Sequence, residues 1–101
     1  HDITVMGILG TLLGKEDAQA LDVPQYTECV AFELWDVPRI GAAVKVLRRK
    51  GVGKELESIT NIVSGCPEDE EYCPLKAFTK RSLKFMIQDI KKECEPKTTQ
   101  A

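Results

Sequence analysis

A chain of 101 residues, 43% hydrophobic and 30% charged, has ordinary globular composition and room for one domain at most. Its formal net charge of -2 argues against nucleic acid or an anionic membrane as partner, because both need a positive field. The apolar run Ile3 to Leu13 covers 11 residues and is interrupted by Thr4, Gly7, Gly10 and Thr11, whereas a membrane span needs roughly 20.

Ile3, Met6, Leu9 and Leu13 recur at helical spacing, and Val5, Ile8 and Leu12 fill the other side. The pattern predicts a helix over 3–14 that is apolar nearly all round and therefore buried. Gly7 and Gly10 would let another backbone come close, and Gly14 would stop the helix. The start at His1, with no basic and apolar leader, reads as a piece of a longer protein or a processed product. Lys15 to Gln25 is polar, contains Pro24, and reads as a loop with one turn of helix.

Residues 27–35 are rich in strand formers, with Cys29, Ala31, Glu33 and Trp35 on one face. A turn containing Pro38 leads to a second strand over 42–49, so the two should form an antiparallel hairpin. Arg48, Arg49 and Lys50 read as a solvated strand end running into the turn at Gly51, and Ile59–Val63 as a short third strand. Pro74 opens a final helix over 74–94, where its missing N–H costs nothing. Leu83, Ile87, Ile90 and Cys94 share one stripe of it and should face inward together. Lys97 to Ala101 reads as a polar tail.

Four cysteines, Cys29, Cys66, Cys73 and Cys94, allow three full pairings, and their spacing does not choose among them. No Cys-x-x-Cys occurs and His1 is the only histidine, so disulfides in an oxidising compartment fit better than a metal site. No cofactor motif is present. Glu68-Asp69-Glu70-Glu71 reads as a solvated loop, and Glu33 and Trp35 as structural.

The chemistry rests on His1 and Asp2. A helix N-terminus offers unpaired N–H groups and a positive dipole end, which together attract an anion such as phosphate. An imidazole there can donate to a phosphate oxygen, and the neighbouring carboxyl can cap the helix or, when protonated, deliver a proton to a leaving alkoxide.

His1-Asp2-Ile3-Thr4 resembles the His-Asp-x-Thr signature of the histidine acid phosphatases, the second branch of the histidine phosphatase superfamily. Three further stretches resemble that family in order: Pro24-Gln25-Tyr26-Thr27-Glu28-Cys29 with Phe32-Glu33-Leu34; Gly65-Cys66 to Cys73-Pro74-Leu75-Lys76-Ala77-Phe78; and the closing Glu93-Cys94. The resemblance implies that 1–101 is the C-terminal portion of a single histidine acid phosphatase domain whose N-terminal part is missing. The implied fold is α/β: the C-terminal part of a mixed sheet flanked by helices. The implied reaction is hydrolysis of a phosphate monoester, small or protein-borne, through a phosphohistidine intermediate, with Asp2 as proton donor and His1 binding phosphate.

Two departures bear on this. Ile3 stands where the signature often has a hydroxyl or amide, and the Arg-His-Gly segment that carries the nucleophile is absent, since His1 is the only histidine. The isolated chain should therefore be inactive. Cys66 and Cys73, with Pro67 and Pro74 turning both ends, should close a local disulfide, and the resemblance pairs Cys29 and Cys94 with cysteines upstream of His1. It also implies a secreted or lysosomal protein, free of metal and cofactor, and is compatible with a homodimer of the full-length enzyme. The alternative is a small secreted, disulfide-stapled binding module in which His1-Asp2 is incidental.

Overall fold

The alternating strand formers after Thr27 make the longest element, β1 (Cys29–Val37), which pairs antiparallel with β2 (Gly41–Arg49) across a short turn. Phe32 faces Val46 and Leu34 faces Val44 in this register, so the apolar positions of both strands share one side of the sheet. Two short strands, β3 (Glu57–Ser58) and β4 (Cys73–Pro74), line the other edge of β2, at Leu47–Arg48 and at Ala43–Val44. All four strands are antiparallel, and helices lie beside them, so the fold is mixed α and β. The computed structural model describes residues 1–96; the expected tail at 97–101 lies outside the described residues.

The third strand arrives earlier than the sequence suggests. Ile59 still donates its N–H to the Val46 carbonyl at 2.8 Å, but Thr60 then turns into a 3₁₀ segment, Thr60–Ile62. The buried Thr60 hydroxyl accepts the Val46 N–H at 2.9 Å, so a side chain takes the place of a backbone ladder partner. Val63 goes instead to Leu13 as an isolated antiparallel bridge, backed by the Ser64 N–H on the Leu12 carbonyl at 2.8 Å.

Helix α1 (Asp2–Leu12) ends when Leu13 turns extended, and Gly14 is the N-cap of the short α2 (Lys15–Gln19). The expected burial over 3–14 does not hold among the described residues. Only Leu9 and Leu12 of α1 are buried, and Ile3 is 74% exposed. Added Cβ atoms at Gly7 and Gly10 would meet nothing within 4 Å, so no described backbone approaches there. The buried residues of α1 lie in its C-terminal half. Leu12, Leu13, Val44, Val46, Val63, Cys66 and Cys73 form the core at its C-terminal end.

The final helix is also shorter than 74–94. Helix α3 spans Leu75–Ser82, a 3₁₀ turn follows at Leu83–Phe85, Met86 is extended, and α4 (Ile90–Glu93) restarts after Asp89. Ser82 turns its hydroxyl back onto the Phe78 carbonyl at 2.8 Å, and Asp89 caps α4 by accepting the Lys92 N–H at 3.2 Å. Both residues favour helix ends over interiors. The stripe Leu83, Ile87, Ile90 and Cys94 is consequently split, and all four are exposed.

Candidate functional site

His1 is the N-cap of α1 and Asp2 its first residue, both at the end of the helix away from the core. The Ile3 N–H donates to Asp2 Oδ1 at 2.7 Å and lies 3.3 Å from His1 Nδ1. His1 Nδ1 is 2.8 Å from the same Asp2 oxygen. One ring nitrogen cannot donate to Asp2 and accept from Ile3 at once. The shorter contact assigns a proton to Nδ1. Asp2 Oδ2 has no hydrogen-bond partner among the described residues, so it is the oxygen free to carry a proton.

These groups open onto a cleft of about 720 Å³, lined by His1, Asp2 and Val5 from α1 and by Val23 to Glu28 from the following loop. That volume is in the range of small-molecule sites. The loop is held from the sheet. The Glu28 carboxylate, its side chain only 2% exposed, accepts from Arg48 Nε at 2.7 Å and from Arg48 Nη2, while its other oxygen takes the Gln25 N–H at 3.2 Å. Arg49 donates from Nε and Nη2 to the Thr27 carbonyl at 3.3 and 3.1 Å. Arg48 and Arg49 are therefore fixtures of the site wall and not a solvated strand end. Sequence reading missed the Glu28–Arg48 pair, although the hairpin register contains it. Arg48 faces Val30, and Glu28 lies two residues before Val30 on the same face.

The other end of α1 is fixed by Arg81 of α3. Its guanidinium donates to the carbonyls of Thr11, of Leu12 at 3.4 Å and of Ser64 at 2.7 Å. The last turn of α1 holds no basic residue of its own, so Arg81 supplies the cation that the negative end of the helix favours. Partial burial lowers its pKa from the ordinary value, but an arginine stays charged at neutral pH. Gly65 makes room for it: a Cβ there would sit 2.5 Å from Arg81 Cβ, on a backbone with φ of +89°.

On the sheet face opposite the core, Lys45 pairs with Glu71 at 2.6 Å and lies over Trp35 and Tyr72, 5.9 and 5.6 Å from their ring centroids. This ties down one end of the acidic loop. Trp35 Nε1 also donates to Glu33 at 3.1 Å, a structural use of both residues. Among the described residues no group of three His, Cys, Asp or Glu side chains is placed to hold a metal ion. Cys66 and Cys73 are joined in a disulfide with Cα atoms 5.3 Å apart, while Cys29, half-buried, and Cys94, exposed, are free thiols here. A disulfide is compatible with an oxidising compartment. No helix among the described residues is long and apolar enough to cross a membrane.

The chain is similar to two curated proteins, both named "Putative acid phosphatase 1". The one from Caenorhabditis elegans is 33% identical over 101 residues, covering 98% of this chain and 24% of the relative. The one from Caenorhabditis briggsae is 31% identical over 100 residues, covering 93% of this chain and 22% of the relative. The chain thus spans about a quarter of the length of these relatives. No protein-family model and no solved structure matches it.

Proposed function

We propose that residues 1–101 are the C-terminal portion of a single histidine acid phosphatase domain, in which His1 and Asp2 form the phosphate-binding and proton-donating side of the active site. The observation that carries this reading is their placement together at the N-terminus of α1, on the wall of a cleft sized for a small molecule. In the proposed reaction a histidine from outside this chain attacks phosphorus and the ester oxygen leaves. Asp2 Oδ2–H protonates that oxygen as it departs, and water then cleaves the phosphohistidine with Asp2 as base. The N-terminal dipole of α1 and, when both ring nitrogens carry protons, the His1 Nε2–H hold the phosphoryl oxygens.

Similarity to acid phosphatases along nearly the whole chain supports this over a self-contained binding module. The proposal includes an oxidising destination, secreted or lysosomal, with Cys29 and Cys94 each bridged to cysteines outside this chain. It is also compatible with a homodimer of the full-length enzyme. The test compares the full-length protein with the isolated chain on nitrophenyl phosphate at acidic pH, together with a search for acid-labile phosphohistidine after quenching. The full-length protein should turn over and the isolated chain should not. A full-length protein that hydrolyses no phosphomonoester sinks the reading.

A further inference from the structure

We propose that Tyr26 is a specificity-determining residue of this cleft, its ring forming the wall against which the organic group of an aryl phosphomonoester stacks. This rests on the phosphatase reading and adds to it the part of the site that meets the leaving group. Tyr26 is 92% exposed and Val23 is 69% exposed, yet both line the same cleft as Asp2. No other aromatic ring stacks on Tyr26 among the described residues; the ring pairs are Phe32 with Phe78 and Trp35 with Tyr72.

An exposed tyrosine on a loose loop would mean little, but this loop is gripped. Glu28 and Arg49 fix the backbone on both sides of Tyr26, and Glu28 further closes the turn by donating its N–H to the Gln25 carbonyl at 3.1 Å. Thr27 is held at φ of +63°, a costly conformation for a β-branched residue that surrounding contacts must enforce. The backbone that carries the ring is thus held in place, and the ring itself is uncovered. His1 and Asp2 offer polar groups at the α1 end of the cleft, and Tyr26, Val23 and Pro24 offer apolar surface on the loop, which suits a molecule with phosphate at one end and a flat ring at the other.

The test is the ratio of kcat/KM for phenyl phosphate to that for glycerol phosphate in the full-length protein. Tyr26→Ala should lower this ratio about three- to tenfold, mainly through KM for phenyl phosphate, and Tyr26→Phe should keep it. A phosphotyrosine peptide carries the same ring. An equal fall for the peptide assigns stacking to rings from either source, and a fall for phenyl phosphate alone restricts the subsite to small esters. A ratio unchanged in Tyr26→Ala, including one where both rates drop together, overturns the proposal and leaves the phosphatase reading standing. A wild-type protein that hydrolyses neither ester overturns both.

Discussion

Replacing Arg81 with methionine isolates the contact that holds the core end of α1. Methionine keeps most of the stem beside Gly65 and removes the guanidinium. Three carbonyls then lose a charged donor: Thr11 and Leu12 at the end of α1, and Ser64 in the strap beside it. The Ser64 bond, at 2.7 Å, has ordinary length, and bonds to a charged group contribute about 1.5–3 kcal/mol each. The site is partly open to solvent, so water replaces some of this, and the expected loss is about 2–3 kcal/mol. Cation–π contacts to Phe78 and Phe85, at 6.0 and 5.3 Å, sit within the same range. Urea unfolding of the full-length variant, at unchanged m, reads the loss. Arg81→Lys should recover less than half of it, because one ammonium cannot reach carbonyls on two segments as a planar fork does. A loss below about 0.5 kcal/mol would refute the clamp. Full recovery by lysine would reduce it to a charge–dipole effect at the helix end.

Opening the Cys66–Cys73 bridge should cost roughly 2.5 kcal/mol through the freed unfolded chain, seen as a lower unfolding midpoint under reducing conditions. Peptide mapping of the oxidised protein that found either thiol free would contradict the pairing. The Lys45 pKa is raised, first by its hydrogen bond to Glu71 and against the opposing effect of burial. Its contribution is therefore complete below about pH 10.4 and lost as pH rises through the higher folded-state value. The stability difference between wild type and Lys45→Met should be flat from neutral pH to about pH 10 and shrink above it. A difference that stayed constant into strong alkali would show that the ion pair contributes nothing.

The hairpin was legible because β-branched and aromatic alternation over 27–35 and 42–49 has no competing helical reading, and the strands extend only to Val37 and back to Gly41. The first helix was legible too, since an apolar periodic run follows a polar pair directly, although it begins one residue earlier than expected, with His1 and not Asp2 as its N-cap. Its burial was not, because an all-round apolar helix says that cover is needed without saying that this stretch of chain provides it. The stripe from Leu83 to Cys94 has the right period for one helix, but periodicity ignores the backbone competition from Ser82 and Asp89 that divides it. Thr60 moved the third strand for the same reason, a side-chain hydroxyl outcompeting a ladder bond. In the candidate site, the pairing of His1 and Asp2 at the start of α1 was legible in the sequence. The roles of Arg48 and Arg49, which hold the loop opposite them, and of Arg81, which holds the core end of α1, were not, since all three acquire partners only through strand register and helix packing.

The leaving-group dependence of Asp2→Asn in the full-length protein tests the central assignment most directly. Asparagine still accepts the Ile3 N–H, so the helix start and the cleft should persist. It cannot give up a proton, so alkyl phosphates, whose alkoxides leave badly, should slow by about 10²–10⁴. Nitrophenyl phosphate, whose anion leaves unaided, should slow far less. His1→Ala serves as the internal comparison, because loss of a phosphate donor should slow both esters alike. Asp2→Asn rates that fell equally for the two esters would contradict the account and leave Asp2 as a helix cap alone.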